Sequence, residues 1–193
     1  SRTEPVFSQN DLPDALSKIK TDWVAIKPAN GLKGLGIYIG PRDGAQNFKL
    51  NKKHKLYVAQ EFVDTSGGIP GITSGMHDLR LVIINAKVVW SHVRVPPAGS
   101  FKANAAGGGV LAEVDLEKIP QNVMEIAQKI AKQFNEKYDN PVYSLDFGLQ
   151  DGKPYIFEIN DQIGFPKWEM KNRDRFLKEL VLSFEQKLQK HDR

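Results

Sequence analysis

The sequence predicts an α+β chain in which strands dominate and helices are few and late. Short alternating apolar runs recur, one pair joined by Asp151-Gly152, while sustained three-and-four periodicity occurs only after residue 120. There is no regular strand–helix–strand alternation of the kind that builds a parallel sheet. A length of 193 residues leaves room for one large domain or two small lobes.

The elements follow in order. Asn10-Asp11-Leu12-Pro13-Asp14 reads as a helix start, with Asp or Asn as cap, Pro in the first turn, and Leu12, Leu16 and Ile19 as the apolar stripe. Trp23 to Lys27 reads as a strand, Asn30 to Gly36 as a glycine-bearing loop, and Ile37 to Ile39 as the return strand. Leu56 to Val63 is another strand. Thr65 to Met76, with four glycines, is a long loop of the kind that often carries function. Leu79–Ile84 and Lys87–Val95 form a hairpin, and Ala98 to Gly109 is small, polar and glycine-rich. Pro120 to Tyr138 is a helix, because Val123, Ile126, Ala127, Ile130, Ala131 and Phe134 fall on one face. Phe176, Leu177, Leu180, Val181, Phe184 and Leu188 mark a final helix, read as core packing.

Composition narrows the function classes. The net charge of +4 is compatible with phosphorylated ligands but too small to argue for nucleic acid. The basic run Lys49 to Lys55 reads as a solvated turn. Without cysteine there is no disulfide framework and no thiolate chemistry, and a cytoplasmic location is the default expectation. No apolar run reaches the roughly 18–20 residues of a membrane span, and no signal peptide is visible. The chain opens at Ser1 rather than Met, as a trimmed piece of something longer would.

The strongest chemical signal lies between Tyr143 and Asn160. Tyr143-Ser144-Leu145-Asp146-Phe147-Gly148 and Ile156-Phe157-Glu158-Ile159-Asn160 read as a hairpin closed at Asp151-Gly152. Asp146, Glu158 and Asn160 are oxygen donors with no His or Cys beside them, which suits a hard cation such as Mg²⁺ held for phosphate. Parity tests whether they share a face, since side chains alternate along a strand. A two-residue Asp151-Gly152 loop sets Asp146 and Glu158 on opposite faces. A three-residue loop Gln150-Asp151-Gly152, with Gly152 in a bulge, sets them on one, and is the expectation here. Both carboxylates are then expected in a cleft. An ordinary hairpin with a wet polar face is the competing reading.

Other constellations are weaker singly. Lys27 leaves a strand beside Gly31, Gly34 and Gly36, so an ammonium and bare backbone amides can meet a phosphate. It is not a P-loop, because no Gly-Lys-Ser/Thr opens a helix. Gln60-Glu61-Phe62-Val63-Asp64 ends a strand where backbone groups can pair with an adenine edge and Asp64 can accept ribose hydroxyls; an edge strand with solvated acids is as compatible. Arg80 and Arg94 share hairpin parity and suit an oxyanion. Phe101, Asn104 and Gly107-Gly108-Gly109 follow as a stretch able to approach phosphate or substrate.

In this order the motifs resemble the ATP-grasp superfamily, most of all its glutathione synthetase and glutamate-adding (RimK-type) ligase branch, from about Trp23 to Gly164. The resemblance implies two α+β lobes sandwiching the nucleotide: residues 1–63 as the nucleotide-binding lobe with its glycine-rich lid, and 64–193 as the catalytic, metal-binding lobe. It implies that Lys27 contacts the ATP phosphates under a lid of Gly31, Gly34 and Gly36. The strand end Gln60, Glu61, Phe62, Val63 and Asp64 would meet adenine and ribose. Asp146, Glu158 and Asn160 would hold two Mg²⁺ ions, with Mn²⁺ an alternative, and Arg80, Arg94 and Asn104 would steady an acyl phosphate. The implied activity is ATP-dependent joining of a carboxylate to an amine. The alternatives are an ATP-grasp kinase of a polyol or inositol phosphate, and a nucleotide-binding module without catalysis. The expected partners are ATP and the two substrates, with no nucleic acid and no membrane. Relatives begin with a further α/β domain and a second ATP lysine that would precede Ser1, so the resemblance implies that this chain alone lacks full activity; that N-terminal domain or a homo-oligomer joins the expected partners. After Asn160, relatives show a small residue and Pro-Gly; here Asp161-Gln162-Ile163-Gly164 stands instead, leaving the acceptor open.

Overall fold

The computed structural model describes residues 1–31, 35–101 and 108–191. Gly34, Asn104 and Gly107, all singled out above, lie outside the described residues. The chain forms two compact units, Ser1–Asp64 with Pro96–Gly109, and Thr65–Val95 with Val110–Arg193. Among the described residues no helix is long and apolar enough to cross a membrane.

The first unit carries a four-stranded antiparallel sheet of β1 (Thr3–Val6), β4 (Tyr57–Glu61), β2 (Trp23–Pro28) and β3 (Tyr38–Pro41), in that spatial order. Two short helices, α1 (Leu12–Ser17) and α2 (Arg42–Ala45), complete it. Alternation along β2 buries Val24, Ile26 and Pro28 and turns Trp23, Ala25 and Lys27 to the other face. Leu12, Leu16 and Ile19 pack with Val6, Val24, Ile26, Tyr57 and Ala59 as one core. The expected helix is thus present with Asp11 at its N-cap and Pro13 in its first turn; a 3-10 turn, Gln9–Asp11, precedes it, where the Ser8 amide and hydroxyl both donate to Asp11 Oδ2.

The second unit is a five-stranded antiparallel sheet ordered β7 (Val110–Glu113), β6 (Lys87–Val95), β5 (Asp78–Ile84), β8 (Val142–Gln150), β9 (Lys153–Asn160). The residues Leu79, Leu81, Ile83, Leu145 and Phe147 line one face. There they pack against α3 (Gln121–Lys137) through Val123, Ala127 and Ala131, the positions its periodicity marked. The other face divides. Val82, Ile84 and Trp90 sit under α4 (Arg173–His191) at Phe176 and Leu180. The rest of that face is polar and forms the site below.

Two expectations are corrected. The β8–β9 loop has two residues, not three: Gln150 pairs with Lys153, and Asp151 and Gly152 both have positive φ (52° and 73°). The twist of the strands favours such a turn. The parity change occurs inside β9 instead. Phe147 pairs with Ile156 but Asp146 with Glu158, so Phe157 is an extra residue in a bulge. Asp146 and Glu158 still share a face. In α4, Phe176 and Leu180 are buried as expected, whereas Val181, Phe184 and Leu188 are 54%, 51% and 66% exposed. The helix carries two apolar stripes, and only one lies on the sheet.

Candidate functional site

The polar half of the second unit's sheet is built from four strands. Arg80 on β5 stands opposite Asp146 on β8. Its Nε donates to Asp146 Oδ1 at 2.6 Å and its Nη2 to Oδ2 at 2.6 Å, a bidentate fork. Arg94 on β6 pairs across the hairpin with Asp78. Its Nη2 donates to Asp146 Oδ2 at 2.8 Å and also to Asp78 Oδ2. From β9, Asn160 Nδ2 lies 3.2 Å from both Asp146 Oδ2 and Glu158 Oε2. The residues Arg80, Arg94, Asp146, Glu158 and Asn160, chosen from sequence, thus form one connected cluster.

Burial makes these charges interdependent. Asp146 is 2% exposed. Desolvation pushes against its ionisation, but the Arg80 hydrogen bonds and the charges of Arg94 and Arg80 outweigh that and hold the carboxyl below its usual range. Asp78 goes the other way: burial first, then the neighbouring Asp146 charge, push it up to about 7 despite Arg94. Arg94 is raised, because Asp78 and Asp146 overcome the desolvation that would lower it. The expectation of two carboxylates in a cleft therefore divides. Asp146 is a buried hub, and Glu158 is exposed.

Sequence reasoning missed Asp78, His92 and Glu113. Asp78 was passed over for its neighbour Arg80, and only burial between two arginines gives it meaning. His92 is opposite Arg80 and stacks on Trp90 at 4.4 Å between centroids. Burial and then the two guanidinium charges lower it to about 3, so it is neutral at pH 7. The alternation Trp90, His92, Arg94 was the available signal. Glu113 accepts from Trp90 Nε1 at 2.9 Å and from the backbone amides of Lys171 and Asn172. It thereby fastens the segment that leads into α4.

Among the described residues no three His, Cys, Asp or Glu side chains form a metal cage. The set here is two carboxylates and one amide, all hard donors. That composition fits Mg²⁺, which is held by one or two carboxylates together with substrate phosphates rather than by an all-protein cage.

The first unit holds the other sequence-chosen residues. Lys27 is half-buried on the sheet face opposite the core. The Gly31 amide donates to Pro28 O at 3.3 Å, and a Cβ there would lie 3.1 Å from Pro28 Cβ, so the turn is tight. Gly36 has φ +69°, a conformation that favours glycine. Gln60 is buried with its amide on Thr3 Oγ1 at 3.0 Å. The Glu61 amide donates to Arg2 O, its carboxylate accepts from Arg2 N, and the Phe62 amide donates to Trp23 O. Val63 is buried, and Asp64 closes the segment. Beside them the rings of Trp23, Phe62 and Phe101 lie 5.4–5.7 Å apart between centroids.

This fold and these residues define an ATP-grasp domain. The description RimK-like ATP-grasp domain matches residues 3–182, and the chain belongs to that family. It is 25% identical over 160 residues to a probable alpha-L-glutamate ligase of Halorhodospira halophila, covering 81% of this chain and 48% of that protein. The chain thus spans about half the length of the curated relatives it matches. Among solved structures, D-cycloserine synthetase superposes with a TM-score of 0.62 at 14% identity, over 92% of this chain and 63% of that one. The ATP-grasp ligase PsnB, complexed with a minimal precursor, Mg and ADP, gives 0.58 at 12% identity, over 94% and 53%. The α+β fold class and the family read from the motif order both hold.

Proposed function

We propose that this chain is the nucleotide-binding and catalytic part of an ATP-dependent carboxylate–amine ligase that works through an acyl phosphate. The observation that carries the reading is the connected cluster that joins Arg80 and Arg94, through the buried Asp146, to Glu158 and Asn160. The ligase names of the relatives support it.

The unit containing Lys27 would be the nucleotide lobe. Lys27 and the turn that carries Gly31, Gly34 and Gly36 would meet the ATP phosphates. The Glu61 and Val63 backbone would meet adenine, flanked by Gln60 and Phe62, and Asp64 would meet ribose. In the other unit, Asp146, Glu158 and Asn160 would hold Mg²⁺, two ions by family resemblance, with Mn²⁺ as an alternative. Such a cation, when bound, neutralises triphosphate charge. A substrate carboxylate oxygen attacks the γ-phosphorus and ADP leaves. The amine then attacks the acyl carbon, phosphate leaves with the C–O electron pair, the nitrogen gives up a proton to phosphate or water, and an amide remains. Arg94, with Arg80 and Asn104, would face the oxyanions that develop, where fixed donors are most effective. Within this reading Arg80 also orients Asp146.

Hydroxylamine trapping tests the reaction class. Full-length protein with MgATP and a panel of amino and dicarboxylic acids is expected to release ADP and phosphate and to yield a hydroxamate. A stable phosphoester without hydroxamate would assign a kinase instead. Nucleotide binding with no turnover would assign a binding module.

A further inference from the structure

The bulge at Phe157 is what turns Glu158 and Asn160 toward Asp146. Carried on without it, the register that pairs Phe147 with Ile156 would place Glu158 beside Leu145. That is the apolar face packed on α3, where Leu145 is fully buried. Both polar side chains would then leave the cluster. The bulge needs space, because Phe157 and Glu158 together oppose a stretch of β8 that normally faces one residue.

Gly148 supplies that space. A Cβ at Gly148 would run into the Phe157 ring, coming within 2.6 Å of Cε2, and would lie 2.7 Å from the Thr65 methyl. Gly148 has an ordinary strand φ, so the requirement is for room rather than for backbone freedom. The Thr65 side chain cannot readily yield. It is 1% exposed, and its Oγ1 accepts from the His77 amide at 3.0 Å.

We infer that Gly148 is a positioning residue. Its missing side chain leaves the room that the Phe157 ring takes in the bulged register, so a Cβ there would displace Phe157 and with it the bulge that presents Glu158 and Asn160 to Asp146. The inference rests on the proposed function only for what the oxygen set binds.

The test is Gly148→Ala, made in the native chain and in a Thr65→Ser/Phe157→Ala background that removes both obstacles. Two readouts are taken: the cross-strand Hα contact between Asp146 and Glu158 by NMR, and MgATP affinity by calorimetry with and without EDTA. In the native background, Gly148→Ala is expected to abolish the 146–158 contact. It should also weaken Mg²⁺-dependent affinity by about 10–100-fold, the usual cost of losing support for metal ligands. In the relieved background the same substitution is expected to keep the contact and change affinity less than about threefold, because the clash that couples the sites is gone. An unchanged register in the native background overturns the inference, as does equal damage in both backgrounds. If Gly148→Ala does not fold in the native background, the relieved triple variant must still fold with the contact present, and its failure also overturns the inference. If the unsubstituted chain shows no Mg²⁺-dependent binding, the proposed function fails, while the NMR contact still decides the register.

Discussion

Asp146 accepts from Arg80 at both oxygens and from Arg94 and Asn160 at Oδ2. Removing Arg80 takes away the bidentate partner and leaves Arg94 and Asn160 to hold a buried charge; breaking a buried pair typically costs about 3–5 kcal/mol. Arg80→Ala is therefore expected to lower stability by that order in urea unfolding. Asp78 and His92 have opposing effects on the pH profile. Asp78, raised to about 7, favours the folded state at low pH, and that contribution is lost as pH rises from about 4 to 7. His92 and His77 are lowered, so their contribution is present above about pH 6.5 and is lost as pH falls. Asp78→Asn removes the opposing slope. Its urea midpoint is expected to rise from pH 4.5 to pH 6.5 more steeply than that of the native chain; an equal or shallower rise would contradict the assignment. Arg80, Arg94, Asp146, Glu158 and Asn160 were legible in the sequence because residue type and order carry them. Asp78 and His92 were not, since an acid or an imidazole acquires its role there only from burial between two guanidinium groups.

At the scale of elements, the β8–β9 hairpin separates turn from site. The turn residues Asp151 and Gly152 have left-handed φ, and the bulge that sets the site face lies at Phe157. Gly152→Ala is expected to cost about 1–2 kcal/mol for placing a Cβ in the left-handed region, measured by urea unfolding. Nucleotide affinity should stay within about twofold, because substitutions away from the ligand-holding groups rarely couple to them. A large loss of affinity would place the register control at the turn after all. Parity predicted the shared face of Asp146 and Glu158 but put the extra residue in the loop. A bulge inside a strand leaves no turn signal; the close approach of Gly148 and Phe157 exists only once the strands are paired. The edge strands Thr3–Val6 and Val110–Glu113 went unread for a related reason: four residues are too few for alternation, and Pro5 masks the first.

At the scale of the molecule, each unit has its own core. Leu12 is fully buried in the first, and Leu12→Ala is expected to cost about 2–5 kcal/mol. Amide exchange should speed in Thr3–Val6, Trp23–Pro28 and Tyr57–Glu61 while Leu79, Leu81 and Leu145 keep their protection; uniform acceleration would mean one cooperative unit. The family was legible because motif order survives where single motifs are weak. The return of Pro96–Gly109 to the first unit was not, since nothing local marks which unit a loop joins.

In the proposed function the Asp146, Glu158 and Asn160 oxygens bind nucleotide through Mg²⁺. The most direct test is calorimetry of ATP with Mg²⁺ and with EDTA, on the native chain and on Glu158→Gln. Glu158 is the cleaner probe because it is exposed, whereas Asp146 also anchors two arginines. The predicted result is affinity that requires Mg²⁺ and falls at least about tenfold in Glu158→Gln with an unchanged melting temperature. Equal affinity in EDTA, or a Glu158→Gln variant that binds MgATP as the native chain does, would contradict it.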